Sequence, residues 1–386
     1  MSPIRSNPFH AKRLTKALVA LTLLLSACAA PTSTPAPQPT LDTSGFARAL
    51  APIEFAFPRD HGPHFDFQTE WWYYTGNLDT ADGRHFGYQL TFFRRGLTPG
   101  APPQRPSDFG TNQIYFAHFA LTDVKAGEYT FAERFSRGAA KLAGASGEPY
   151  QVWLEDWSVE SLNAEGSVVS LRAREGKREF ALTLRAAKPI VAHGDRGLSQ
   201  KSEAPGNASY YVSFTRMDTE GQVTVNGQTA QVTGESWFDH EWSTSALGAG
   251  IIGWNWFSLQ LGDGREVMFY QFRQADGSIG RLSAGTLIEK DGSLKKLAVS
   301  DIQIEARGQW LSPATKGAYP DEWRLTIPSA QIELNIVPWL AGQEMRASFP
   351  YWEGAVKFTG TSNGAAVTGN GYIELTGYVS SMQGVF

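Results

Sequence analysis

The sequence predicts an all-β protein built of two antiparallel β-barrels. Three observations carry this. Turn pairs recur at intervals of about 8–12 residues, the spacing of sandwiches and up-and-down barrels. Twelve Trp and 39 Gly with 19% charged residues fit a sheet-rich chain with many tight turns. Long amphipathic helical patterns are scarce.

The front of the chain is read apart from the fold. Arg5, Lys12, Arg13 and Lys16 form a basic start, and Ala17 to Leu25 is an apolar run too short for a spanning helix. Leu25-Ser26-Ala27-Cys28 then has the form of a bacterial lipoprotein cleavage site. Residues 1–28 are therefore expected to be a signal peptide, with Cys28 as the lipid-modified N-terminus. The plainer alternative is an ordinary secretory signal with a chance cysteine. Cys28 is the single cysteine, which rules out an internal disulfide. Acylation on more than one chain would anchor the protein to a membrane. Ala29 in place of Asp favours the outer membrane facing the periplasm, if the host is Gram-negative. Residues 29–45 are rich in Pro, Thr and Ser and read as an extended tether.

About 340 residues follow, enough for two domains. They are expected to divide into residues 46–243 and 244–386, with the boundary in Ser243–Gly250. Each half should hold eight to ten strands. The hairpin signals run in order: Asp82-Gly83, Ala126-Gly127, Glu165-Gly166 and Asn226-Gly227 in the first half, then Asp263-Gly264, Asp276-Gly277 and Asp291-Gly292 in the second. The net charge is −4 with no basic stripe, so nucleic acid is not an expected partner.

Two signatures set carboxylates among large rings, a costly placement for mere filling. The first is Glu70-Trp71-Trp72-Tyr73-Tyr74-Thr75-Gly76. On a strand, Glu70, Trp72 and Tyr74 share one face, and Trp71 and Tyr73 share the other. Glu70, Trp71, Trp72 and Tyr74 are candidate ligand-binding residues; otherwise the rings plug a barrel floor. His61 and His64 stand near Asp60 and Asp66, but the spacing is unspecific, a loop-capping or ligand-lining role serves as well, and no metal is assigned.

The second signature is Gly234-Glu235-Ser236-Trp237-Phe238-Asp239-His240-Glu241-Trp242. If it is extended, Trp237, Asp239 and Glu241 lie on one face and His240 and Trp242 on the other. Two neighbouring carboxylates repel, so one is expected to hold its proton near neutral pH, as a proton donor must. Asp239, His240 and Glu241 are the candidate catalytic residues; the competing reading is an interdomain salt-bridge cluster. Trp237, and Trp254 and Trp256 of Gly253-Trp254-Asn255-Trp256-Phe257-Ser258, add indoles that could stabilise a cation or bind a flat ligand. Gly-x-Ser-x-Gly is absent, because Gly234-Glu235-Ser236-Trp237-Phe238 lacks the closing glycine.

With these residues the chain resembles the AttH-like and carotenoid 1,2-hydratase family of lipocalin-like proteins. The resemblance runs from about Phe55 to Tyr378. It is carried by Pro58-Arg59-Asp60-His61-Gly62, the two signatures, Gly253–Phe257, Tyr351-Trp352-Glu353-Gly354-Ala355 and Gly371–Tyr378. It implies two lipocalin-like barrels packed side by side. It also implies activities that range from acid-catalysed addition of water across an isoprenoid double bond to the guidance of pericyclic cyclisations. Many exported members are simply described as predicted hydrolases, and the lipoprotein form looks more like the AttH branch than the pigment enzymes.

The expectation is therefore an envelope-anchored protein acting on, or binding, an apolar isoprenoid or lipid-like ligand. As an enzyme it would be a hydratase without a cofactor, with Asp239 as donor and His240 and Glu241 setting its pKa and position. The alternatives are a non-catalytic lipid or isoprenoid carrier, and a secreted hydrolase.

Overall fold

Segments of alternating or wholly apolar character, separated by Gly-containing turns, form strands throughout the computed structural model. It describes residues 43–104, 106–244 and 247–384; the signal segment, Cys28 and residues 29–42 of the tether lie outside them. The first half contributes β1 (Thr69–Asp79), β2 (His85–Gly96), β3 (Gln113–Asp123), β4 (Glu128–Arg137), β5 (Ala143–Gly147), β6 (Tyr150–Leu154), β7 (Trp157–Ser161), β8 (Val168–Glu175), β9 (Arg178–Ala186), β10 (Val191–Ala192), β11 (Leu198–Gln200), β12 (Ala208–Val225) and β13 (Gln228–Ser243). They make one antiparallel sheet in the order β4-β3-β2-β1-β13-β12-β9-β8-β7-β6-β5, with β10 and β11 also on β12. Thirteen strands exceed the eight to ten expected, because short pieces such as Val191–Ala192 carry no sequence period to count.

The second half contributes β14 (Ile251–Leu261), β15 (Glu266–Gln274), β16 (Ala284–Ile288), β17 (Leu294–Ala298), β18 (Gln303–Ala306), β19 (Trp310–Leu311), β20 (Ala318–Tyr319), β21 (Trp323–Ile327), β22 (Ile332–Pro338), β23 (Glu344–Arg346), β24 (Pro350–Ser362) and β25 (Ala365–Leu375). Its ten-stranded sheet runs β17-β16-β15-β14-β25-β24-β22-β21-β18, with β23 on β24 and a separate β19–β20 pair. The chain passes from the first sheet to the second between Ser243 and Ile251.

Each turn signal read from the sequence falls between consecutive strands. At Asn226-Gly227 both residues have positive φ, 54° and 80°, as a two-residue turn matched to strand twist requires. The two sheets curl into lipocalin-like barrels packed side by side. Trp72, Tyr74, Leu78, Phe119, Trp157 and Leu182 fill the first barrel, and Phe257, Trp323, Leu334 and Trp352 fill the second.

A third cluster lies between the barrels. It includes Tyr73, Tyr211, Trp237, Trp256, Met268 and Tyr372. The strands that meet there, β1, the end of β13 and β14, are buried on both faces. β4, at an edge of the first sheet, has no fully buried residue. Hydrogen bonds cross the junction: Asn77 Nδ2 donates to the Gly371 carbonyl at 3.0 Å, and Gln260 Nε2 to the carbonyls of Thr215 and Ser236, each at 2.9 Å. Across it Glu266, buried, also receives Arg216 at 2.6 Å and Lys188 at 2.8 Å.

Candidate active site

The junction between the barrels encloses a cavity of about 140 Å3. The first barrel supplies the odd-numbered face of β1 (Thr69, Trp71, Tyr73), the Asp239 and Glu241 face of β13, and Tyr211 of β12. The second supplies Trp254, Trp256, Tyr270, Glu353 and Glu374. The alternation of a strand decides membership: on β1 and β13 one face looks into the first barrel and the other into the cavity. Trp71, Trp254 and Leu247 keep partial exposure, and so does Glu374, which marks where the cavity opens. Asp239 and Glu353 are buried at its floor.

Asp239 accepts hydrogen bonds from Ser213 Oγ, from Trp237 Nε1 at 2.7 Å and from Tyr211 OH at 2.7 Å. Ser213 and Trp237 both reach Oδ1. Among the described residues Oδ2 receives the tyrosine alone and keeps a lone pair where a proton can sit. Burial pushes Asp239 up to about 7 from its ordinary 3.8; the three donors pull it down, and the charge of Glu241 adds to the rise. Behind Ser213 stands His193, which meets Ser213 Oγ at 2.8 Å and Thr286 Oγ1 at 2.9 Å. Burial, then the neighbouring Lys201, lowers His193 to about 3, so the ring is neutral at pH 7.

Glu241 is held by Lys201 Nζ at 2.6 Å and by Ser209 Oγ. The Lys201 ammonium lies 4.9 Å from the Tyr270 ring centre. Glu353 Oε1 accepts from Tyr73 OH at 2.7 Å, and Glu374 from Trp254 Nε1 at 3.2 Å. Burial raises both acids: Glu353, also facing Glu374, goes well above the carboxylate range, and Glu374 to about 7. The described lining residues thus carry four carboxyls and one ammonium. The walls are mainly indole and phenol faces. Trp256 meets Tyr73 edge-on at 5.2 Å, and its Nε1 donates to Tyr211 OH at 3.0 Å.

The residues singled out from sequence separate into two groups. Asp239, Glu241, Trp71, Trp254 and Trp256 come together around the cavity. Trp237 stands behind Asp239 as a hydrogen-bond donor. His240, Glu70, Trp72 and Tyr74 are on the opposite faces, inside the first barrel. His240 therefore touches neither Asp239 nor the cavity and cannot set the donor's position by contact. Its Nε2 meets Glu70 Oε1 at 2.9 Å and its ring stacks on Trp72 at 5.0 Å. Tyr74 OH bonds Tyr150 OH at 2.8 Å. His61 is buried at the same barrel end, 4.5 Å from the Phe57 ring centre and 5.1 Å from that of Tyr150.

Glu70 is the centre of a second polar network. It receives Arg94 Nε at 2.8 Å, His64 Nδ1 at 2.8 Å and the His64 backbone N–H at 2.9 Å. Burial would raise its pKa, but the Arg94 charge, with His64 and His240, holds it well below the usual carboxylate range. His64, Glu70 and His240 bring ligand atoms within 4.8 Å of one another, a spacing that could hold a metal ion. The Arg94 guanidinium already balances the carboxylate's charge, so the donors close into a hydrogen-bonded set without one.

Lys201, Tyr211, Ser213, His193, Glu353 and Glu374 were not read from sequence as site residues. Glu353 and Glu374 lay inside quoted motifs, and a carboxylate near rings in the sequence, Tyr351 and Trp352 for one and Tyr372 for the other, was their one signal.

Residues 48–378 match the AttH-like family. An AttH-type protein of Nitrosomonas europaea is 31% identical, with a TM-score of 0.75, covering 86% of this chain and 100% of its own. Kievitone hydratase of Nectria haematococca is 16% identical with a TM-score of 0.66 over 88% of this chain and 98% of its own. CghA is 14% identical with a TM-score of 0.53 over 89% and 98%. At those two identities the likeness is one of fold. No curated protein matches the chain significantly.

Proposed function

The chain belongs to the AttH-like family, and on that footing we propose that the cavity between its barrels binds an apolar, isoprenoid-like alkene and hydrates it by acid catalysis. The observation that carries the reading is Asp239: a buried carboxyl pushed up to about 7, beside indole faces, with one lone pair of Oδ2 unclaimed. Such an acid is protonated in part at neutral pH and can donate. Its O–H bond breaks as a C–H bond forms from the alkene π pair. The cation develops at the more substituted carbon, facing Trp71, Trp254 and Trp256, whose ring faces favour positive charge. Water then forms the C–O bond. Kievitone hydratase, a hydratase by name, supports the reading through its shared fold.

The test is hydration of a panel of isoprenoid alkenes, geraniol among them, run beside ligand quenching of Trp fluorescence. Asp239→Asn should lower turnover by about 10²–10⁴-fold, the usual worth of a general acid, while quenching persists. An active Asp239→Asn variant sinks the assignment.

A second reading has its own observation. Trp256 of the second barrel donates to Tyr211 of the first, which donates to Asp239. In a lipid or isoprenoid carrier this chain would be a latch between barrels. Wild-type protein that binds the panel and hydrates none of it favours the carrier.

We further place the protein at a membrane, anchored through lipid on Cys28, on the strength of Leu25-Ser26-Ala27-Cys28. Cys28→Ser should then abolish partitioning into the membrane fraction, and retained partitioning would end that proposal.

A further inference from the structure

Hydration needs a proton donor, and it also needs a place for water and a base to take the water's proton. Asp239, ionised once it has donated, can serve as that base only for water on the face it protonates. The wall contributed by the second barrel holds two more acids. Glu353 of β24 and Glu374 of β25 are direct partners across adjacent antiparallel strands, and both line the cavity. Among the described lining residues the one ammonium, Lys201, is bound to Glu241 on the other barrel.

A second, independent observation points to a ligand at this wall. Glu353 is fully buried, and while its Oε1 is bonded to Tyr73, its Oε2 has no hydrogen-bond partner among the described residues. The same is true of Gln89 Oε1, which also lines the cavity, and of the buried hydroxyls of Tyr129 and Tyr372. Tyr129 and Tyr372 neighbour Glu353: burial and then surrounding groups, the Glu353 charge among them, push both phenols up. Buried polar atoms are satisfied in nearly every case, and each orphan calls for a reason. Two unsatisfied acceptor oxygens on the cavity lining, Glu353 Oε2 and Gln89 Oε1, are the kind of partner an ordered water takes.

We propose that Glu353, at the floor of the cavity, and Glu374, its cross-strand partner nearer the mouth, form a carboxyl dyad that holds the attacking water, with Glu353 Oε2 as the atom that takes its proton. The assignment rests on the hydration reading above. Carboxyls on directly paired residues of adjacent strands repel when both are ionised, so this pair is expected to share one proton. The shared proton leaves one oxygen basic. As water forms its C–O bond to the cation, one of its O–H bonds breaks and that proton passes to Glu353. The product is the alcohol. Asp239 is left ionised and the dyad holds one extra proton, and the proton returns to Asp239 between turnovers. Glu353 is then a catalytic residue, and Glu374 a positioning residue that keeps it basic.

The experiment uses Glu353→Gln and Glu374→Gln, which keep shape, with geraniol as probe. With Glu353→Gln, kcat should fall about 10²-fold or more while fluorescence quenching by geraniol is unchanged. Glu374→Gln should instead move the pH profile of kcat. Infrared spectra supply a readout free of turnover. Removing Glu353 should bring the protonated-carboxyl band of Glu374, identified by its loss in Glu374→Gln, to a lower titration pH. Unaltered titration of Glu374 shows that no proton is shared and overturns the dyad, even if a variant turns over poorly because it is misfolded. A dead Asp239→Asn variant beside a fully active Glu353→Gln variant overturns this inference and leaves the hydration reading standing. A wild type that binds geraniol and hydrates nothing in the panel overturns both.

Discussion

Glu70 and Asp239 lie on the paired strands β1 and β13, on opposite sides of the same sheet, and both are buried, at 0% and 4% exposure. Their chemistry is opposite. Glu70 faces the first barrel's interior, has Arg94 at 2.8 Å, and is held ionised. Asp239 faces the second barrel, has three neutral donors and, among the described residues, no cation in contact, and is pushed up to about 7. Burial acts on both in the same direction, so it does not distinguish a structural acid from a reactive one. A permanent positive charge within bonding distance does. By this measure Asp239, Glu353 and Glu374 are the acids proposed as reactive, and Glu70 is the anchor of the barrel end.

The largest expected effect attacks the anchor. Arg94→Met leaves Glu70 buried without its guanidinium. The cost should be about 3–5 kcal/mol, the usual loss when one partner of a buried pair is removed, read by urea unfolding at pH 7. A cost under about 1 kcal/mol would mean that the histidines suffice and would erase the contrast.

The next effect separates the acids by pH. Glu70 has a folded pKa below its ordinary 4.5, so its contribution is present above that value and is lost as pH falls through the folded pKa. Asp239 has a folded pKa near 7 against an ordinary 3.8, so the folded state binds the proton more tightly, and stability is lost as pH rises from about 4 to about 7. Asp239→Asn should therefore gain on wild type across that window, by at most about 1.4 kcal/mol per pH unit. Glu70→Gln should fall behind wild type as pH rises through the acid range. Parallel urea titrations check both, and curves of the same sign would refute the distinction.

The smallest effect is a predicted silence. His240→Gln alters the Glu70 side of the sheet and should leave the titration of Asp239 in place, read from its infrared carboxyl band. A shift of about one pH unit, worth about 1.4 kcal/mol, would show that the two faces communicate.

The sequence made the strands legible because turn pairs and alternation are local. It also made the faces legible: the period of two already set Asp239 and Glu241 apart from His240, and grouping His240 with them overrode that period. What alternation could not say is which face looks into a barrel and which into the junction. Here both are lined with rings, since Trp72 fills a core and Trp71 a cavity wall. Lys201, Tyr211, Glu353 and Glu374 were out of reach for another reason. They join Asp239 through the packing of strands far apart in the chain, and Lys201 follows a three-residue strand with no pattern of its own.

The pairing of β1 with β13 sets Thr69 opposite Ser243 and Asp79 opposite Thr233. The first long strand of the barrel thus waits for its last one, and β14 likewise waits for β25. Contacts so distant along the chain carry a large loop-closure cost and fold slowly. Until residue 243 has been made, β1 carries an open row of backbone donors and acceptors between two apolar faces, the kind of edge that recruits other strands. The hazard of aggregation therefore belongs to the growing chain, and closure of the last strand removes it.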